Sequence, residues 1–324
     1  MSRDDLSELT ERLSTLLPDR PEVRVTGVAS VGANRRTLFL ELASDGATRK
    51  AVAQIAAPHT LDAANVANEI ELLRAAEAAG VAVPHILAAE PGSGTVVSAH
   101  VDGESIPRKV LRRVEAVADL GPTLTADCGR ALAATHRIPT DTLDGLPDMA
   151  APGTYADQME ELLESLATPH PTFRLGVRWL RRNAIPAVDE PVVVHGDFRL
   201  GNFLATDEGV SAVLDWELVH LGDPMEDLAW LCLRTWRFGN DALEVGGFGS
   251  LDELRAAYEK AGGAWREDAF AWWTVARTLW WGLGLARQAQ AHIDGDATSI
   301  VLAASGRRVV ELEYDLLRLM EPRA

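Results

Sequence analysis

The sequence predicts an α+β fold in two lobes, a small antiparallel sheet carrying one helix followed by a larger, mainly helical lobe. Three observations lead there. Apolar residues alternate with period two through much of residues 20–102, with turn signals between the runs. Helical periodicity dominates after Gly103. All nine tryptophans lie from Trp179 onward. The two parts differ in kind, so the division falls near residue 103, giving lobes 1–103 and 104–324.

The elements follow in order. Leu6, Leu9, Leu13, Leu16 and Leu17 share one helical face that stops at Pro18. "EVRVTGVASVG", "TLFLELA" and "RKAVAQIA" read as strands, the last two joined through Asp45-Gly46, a hairpin signal. A helix is expected from Leu61 to Ala79, with Val66, Ile70 and Leu73 inward and Gly80 as its stop. "PHILAAE" and "TVVSAHV" form a second hairpin. Further helices are expected near 125–137, 154–167, 171–184, 223–236, 250–262, 267–291 and 297–321. Between them "PVVVHGDF" and "GVSAVLDWE" are short strands bracketing a loop.

Composition narrows the function classes. The chain is 47% hydrophobic and 24% charged, an ordinary globular balance, with a net charge of −17. Both lobes are acidic, which argues against a nucleic-acid partner. Cys128 and Cys232 have no metal-like spacing and are expected to stay reduced. The N-terminal stretch is charged, without an apolar signal core. No apolar run approaches the roughly 18 residues that span a bilayer. The expectation is a cytoplasmic protein without a membrane partner.

The chemistry concentrates in "VVVHGDFRLGNFL", residues 192–204. Asp197 ends an apolar strand, so the core fixes its position while its carboxylate enters a loop. Asn202 follows five residues later, and Asp215 ends the next apolar strand. Two carboxylates and one amide oxygen suit Mg²⁺, which also takes phosphate oxygens and keeps waters. Asn202 and Asp215 are the candidate metal ligands. Asp197 is left to accept a proton from an attacking hydroxyl, as phosphoryl transfer requires.

The stretch "HGDFRLGNFL…AVLDWELVHLGDPMEDLAWL" resembles the aminoglycoside phosphotransferase and choline kinase family, which has a protein-kinase-like fold. The resemblance covers the order of elements along nearly the whole chain. It implies a small-molecule kinase, with Asp197 as base, Asn202 and Asp215 on Mg²⁺, ATP or GTP as co-substrate and a small-molecule hydroxyl as acceptor. His195 then braces the loop. Asp223 and Asp227 correspond to the family's structural brace. Arg199 is a catalytic candidate on the transferring phosphate, or the partner of a nearby acid.

The same resemblance makes the first lobe the nucleotide-binding one. "SVGANRR", Ser30 to Arg36, would cover the phosphates, with Gly32, Asn34 and Arg35 as candidates. Ala99 and His100 occupy the connection where backbone groups bind a base. Glu69 falls where the family's helix Glu pairs with a strand Lys. Here the sequence departs from its relatives, because the register puts Gln54 at that Lys position. Glutamine can bond a phosphate oxygen but brings no charge. Lys50 shares its face but lies about 13 Å away along an extended strand. Arg35 or Arg36 is the candidate substitute.

Three other readings stay open at this stage. Gln54 favours a catalytically weak nucleotide-binding scaffold. Some relatives resemble kinases of hydroxyacyl-coenzyme A esters. A metal-dependent hydrolase finds support only in the carboxylate pair, without an H-E-x-x-H or second metal cluster. Trp273, Trp280 and Arg277 lie on a helix near the family's acceptor side, but core packing explains them more simply. "WRFGNDALEVGGFG" is an acceptor-side lid or a plain connector.

Overall fold

The computed structural model describes residues 3–31, 35–57, 61–143, 145–149, 151–296 and 299–321. Gly32 and Asn34 lie outside the described residues.

The first lobe opens with α1 (Arg3–Leu16) and a five-stranded sheet built from β1 (Glu22–Val31), β2 (Arg35–Ser44), β3 (Ala47–Ala56), β4 (Ile86–Glu90) and β5 (Thr95–Ala99). The strand order is β1-β2-β3-β5-β4, antiparallel throughout. Alternation sorts the two faces of this sheet. Leu38, Leu40 and Leu42 of β2, Ala51 and Ala53 of β3 and Val97 of β5 are buried beneath α1, against Leu9, Leu13 and Leu17. The intervening residues Thr37, Phe39, Val52 and Gln54 face a cleft. The β2–β3 turn puts Asp45 and Gly46 at positive φ, as a tight hairpin requires.

Helix α2 (Ala63–Ala78) crosses the sheet. Asp62 caps it by accepting from the N–H groups of Ala64 and Asn65. Val66 and Ile70 pack on Val96 of β5, whereas Leu72, Ala76 and the following Val81 join the core of the second lobe. Leu73 turns toward the cleft.

The second lobe holds α3 (Pro107–Ala116), α4 (Leu120–Thr135), α5 (Pro152–Glu164), α6 (Pro171–Arg182), α7 (Met225–Cys232), α8 (Leu251–Lys260), α9 (Glu267–Asp294) and α10 (Ile300–Met320). Two strand pairs sit among them: β6 (Val192–Val194) with β9 (His220–Gly222), and β7 (Phe203–Thr206) with β8 (Gly209–Val213). The sequence reading misses α3, which buries only Val110 and Leu111 among basic residues and so has a thin apolar stripe. It also starts α4 too late. Pro122 falls in the first turn of that helix, where no N–H is needed. α7 ends at Cys232, sooner than expected, and gives way to a short 3₁₀ turn, Arg234–Trp236. Among the described residues no helix is long and apolar enough to cross a membrane.

Candidate active site

Strand β6 delivers the loop that carries Asp197. His195 is fully buried, and its ring is held at both nitrogens: Nε2–H donates to the carbonyl of Leu214 at 3.0 Å, and Nδ1 accepts from the N–H of Asp197 at 3.2 Å. That assignment makes the ring neutral, and burial lowers its pKa accordingly. Gly196 follows at φ +80°, and a Cβ there would sit 2.3 Å from the Leu218 carbonyl oxygen, so only glycine fits.

Beneath this turn, Asp227 of α7 accepts from the N–H groups of His195 and Gly196 at 2.7 and 2.9 Å. His136, at the C-terminal cap of α4, reaches the same carboxylate at 3.3 Å. Burial pushes this carboxyl up, but the donors outweigh it and hold it below the ordinary range. Asp223 accepts from the N–H of Met225 and pairs with Arg266. Both acids are structural supports, and neither faces the cleft.

The Asp197 carboxylate is gripped by three donors. Trp230 Nε1–H reaches Oδ1 at 2.7 Å and Arg199 Nε–H reaches the same oxygen at 3.0 Å. The amide of Asn202 donates to Oδ2 and, at 3.0 Å, to the Asp197 main-chain oxygen. With Nδ2 so committed, Asn202 presents Oδ1 as its remaining ligand atom. Its own carbonyl accepts from Leu214 N–H at 2.8 Å, which ties the loop to the segment bearing Asp215. Asp215 sits at φ +63°, a left-handed conformation uncommon for a non-glycine residue. Arg199 pairs with Asp197 and stacks 4.5 Å over the ring of Trp236.

A cleft of about 690 Å³ opens between sheet and helical lobe. Asn202, Asp215 and Glu217 line its lower wall, and Arg35, Gln54 and Glu69 its upper end. Burial, then the charge of Asp197, raises the Asp215 carboxyl; burial, then Asp215, raises that of Glu217. Such an under-neutralised acidic edge favours a cation. Among the described residues no three His, Cys, Asp or Glu side chains form a closed metal cage. One carboxylate and one amide oxygen beside an open cleft fit Mg²⁺, which completes its shell with phosphate and water oxygens.

At the upper end Glu69 is paired by Arg35, one of the two candidate substitutes for the strand lysine. Arg35 of β2 makes two hydrogen bonds to Glu69, Nη1 to Oε1 at 2.7 Å and Nη2 to Oε2. The register explains the substitution. Thr37 stands opposite Gln54, so Arg35 lies two residues further along the same cleft-facing row. Glu69 raises the Arg35 pKa first through these hydrogen bonds, and Glu217 and Asp215 add to it.

At the end of β5 part of the backbone is already committed. The N–H groups of Ala99 and His100 donate to the carbonyls of His85 and Lys50, at 2.8 and 3.3 Å. What these two residues can offer a base is their carbonyl oxygens. On α9, Trp273 is fully buried against Tyr155 and Arg277 is buried against Trp230 and Trp280, so neither forms an open acceptor wall. The sequence reading misses Trp230 and Glu217. Trp230 looks like one more core aromatic of α7. Glu217 shares the "LDWE" segment with Asp215, and that adjacency was its available signal.

Comparison with known proteins agrees with this architecture. The profile of the phosphotransferase enzyme family matches residues 26–273. Among curated relatives, "Acyl-CoA dehydrogenase family member 11" of Gallus gallus is 40% identical over 84 residues, 25% of this chain and 11% of that protein. "Probable acyl-CoA dehydrogenase IBR3" of Arabidopsis thaliana is 29% identical over 227 residues, 63% of this chain and 27% of that protein. The chain thus spans only a minor part of these longer proteins. Among solved structures, a putative aminoglycoside phosphotransferase from Ralstonia eutropha superimposes with a TM-score of 0.73 at 20% identity, covering 97% of this chain and 98% of the other. A choline/ethanolamine kinase family protein from Mesorhizobium loti gives 0.63 at 20% identity, covering 98% and 95%. Spectinomycin phosphotransferase, solved with ADP and spectinomycin, gives 0.63 at 12% identity, covering 96% and 98%. The fold shared with these structures and the family match together identify this chain as a member of the phosphotransferase enzyme family.

Proposed function

We propose that this chain transfers the γ-phosphoryl group of ATP (or GTP) to a hydroxyl of a small molecule, with residues 1–103 binding the nucleotide and 104–324 carrying catalysis and the acceptor. The observation that carries the reading is that Asn202 and Asp215 line one edge of the inter-lobe cleft, with Asp197 hydrogen-bonded directly behind Asn202, while the Arg35–Glu69 pair lines the other end. Asn202 Oδ1 and Asp215 would hold Mg²⁺, which neutralises phosphate charge when bound. An ADP complex of a structural neighbour supports a nucleotide in the cleft.

Asp197 is suited to the base role by the way it is held. An ionised carboxylate offers about four acceptor positions. Trp230, Arg199 and Asn202 occupy three and fix the plane. The remaining position can accept the acceptor's O–H. As the new O–P bond forms, that proton passes to Asp197 and the bond from γ-phosphorus to the bridging oxygen breaks, releasing ADP. Arg199 lies between the base and Asn202, where it can meet charge on the transferring group. Arg35 supplies the cation that Gln54 does not, and Gln54 offers a neutral donor beside it. The carbonyls of Ala99 and His100 belong to the base-binding edge.

The Arg35–Glu69 pair weighs against a catalytically weak scaffold, a reading that rested on Gln54. A second reading concerns the acceptor. The matches to proteins named acyl-CoA dehydrogenases favour a hydroxyacyl-coenzyme A ester. ADP release from Mg·ATP against aminoglycosides, choline, homoserine and hydroxyacyl-coenzyme A esters tests both. One class should raise turnover well above the no-acceptor rate. Absence of nucleotide binding and of ADP release with every acceptor contradicts the kinase reading.

A further inference from the structure

Arg277 is nearly inaccessible, at 3% exposure, deep in α9. A buried guanidinium is expensive, and an apolar side chain of similar size would serve packing at least as well. Its contacts explain what the charge is for. Nη1 donates to Glu226 Oε1 at 2.8 Å, and Glu226 is itself fully buried and bonded to His220 at 3.1 Å. Nη2 donates to the carbonyl of Gly196 at 2.5 Å, on the residue just before Asp197. The guanidinium sits in the corner formed by two nearly perpendicular indoles, 4.4 Å from the ring centre of Trp230 and 4.3 Å from that of Trp280. Trp230 in turn sends its N–H to Asp197 Oδ1 at 2.7 Å.

Two independent paths therefore run from one buried cation to one carboxylate. The first fixes the backbone at Gly196. The second holds the plane of Trp230 by cation–π contact, and with it the direction of the indole N–H. Packing already confines this buried ring, and contact with a cation pinned by Glu226 adds an electrostatic constraint on its tilt. Four tryptophans meet here, yet their N–H groups differ. Those of Trp236 and Trp281 are buried without a hydrogen-bond partner, and that of Trp230 is spent on Asp197.

We propose that Trp230 is a positioning residue for phosphoryl transfer, with Arg277 as its anchor: the pair holds the Asp197 carboxylate in the orientation that leaves one acceptor position turned to the substrate hydroxyl. This rests on Asp197 as the base. It predicts that losing one indole N–H impairs turnover without touching nucleotide affinity, because neither Trp230 nor Arg277 lines the cleft.

The test compares Trp230→Phe with Trp281→Phe, which removes a ring from the same cluster but no hydrogen bond. Turnover is followed as ADP release from Mg·ATP with water as acceptor. Trp230→Phe should lower kcat about tenfold or more, the loss expected for a hydrogen bond to a charged group, with KM for Mg·ATP within about twofold. Trp281→Phe should keep kcat within about twofold. In an Asp197→Asn background, Trp230→Phe should add nothing, since residues acting as one unit are non-additive. Equal losses in the two Phe variants, or additivity with Asp197→Asn, would overturn the proposal. Full turnover in Asp197→Asn alone would instead overturn the base assignment, so the two failures are distinct. A further measurement does not require Trp230→Phe to fold. In protein labelled with ¹⁵N at the indoles, Asp197→Asn should displace one Nε1–H resonance well beyond the rest, because a charged acceptor becomes neutral. No such displacement would also overturn the proposal.

Discussion

The two edges of the cleft place their charges in different ways. On the helical side, Asp197, Asn202 and Asp215 come from one short stretch of chain and are held by buried supports, with Asp227 beneath the turn and His195 across it. On the sheet side, the cation that meets Glu69 comes from a different strand than the family pattern leads one to expect, Arg35 of β2 and not position 54 of β3. A loop tied by spacing and a buried network tolerates little exchange. A row of side chains across a sheet offers neighbouring positions from which the same space can be reached.

The comparison is sharpest in stability. Asp227→Ala leaves two backbone N–H groups and His136 without their acceptor in a dry environment, and should cost about 3–5 kcal/mol in denaturant or thermal unfolding. Arg35→Ala removes a partly exposed pair and should cost less than about 1 kcal/mol. Similar losses would erase the distinction between the two edges. The pH dependence has a defined sign. The folded Asp227 carboxyl lies below its unfolded value of about 3.9, so its contribution is complete above that value and is lost as pH falls through the lower folded one. The stability gap between wild type and Asp227→Asn should therefore shrink only in acid.

Ligand binding gives the next effects. Asp215→Ala should weaken Mg²⁺-dependent nucleotide binding by at least about 10- to 100-fold, the loss typical even of a residue that only orients a metal ligand. Removing Mg²⁺ with a chelator should do the same to wild type and change little further in the variant. On the sheet side, Arg35→Ala should weaken nucleotide binding about tenfold. Gln54→Lys should change wild-type affinity by no more than about threefold, yet recover most of the loss in an Arg35→Ala background, because it returns a cation to the same row. If Gln54→Lys tightens wild type strongly and Arg35→Ala changes nothing, Arg35 serves only Glu69 and the phosphates lack a cation from β2.

How much was legible follows the same division. Period-two and helical patterns give the two lobes, and the His-Gly-Asp spacing with the next strand end points to the proposed catalytic edge, because these are relations along the chain. The Arg35–Glu69 pair needs the β2–β3 register, and sequence offers Arg35 and Arg36 without choosing between them. Trp230 is read as core because its ring is core; only the direction of one N–H links it to Asp197. Helix α3 is missed for want of apolar positions, and the N–H groups of Ala99 and His100 are committed by strand pairing that composition does not report.

The central claim is that Asp197 acts on the acceptor while Asn202 and Asp215 serve the metal-bound nucleotide. Calorimetric titration of Mg·ATP into Asp197→Asn, paired with ADP release from the same preparation, tests it most directly. The account predicts affinity within about threefold of wild type and turnover lower by about 10²- to 10⁴-fold, the usual contribution of a general base. Turnover close to wild type, or loss of nucleotide binding in step with turnover, would contradict it.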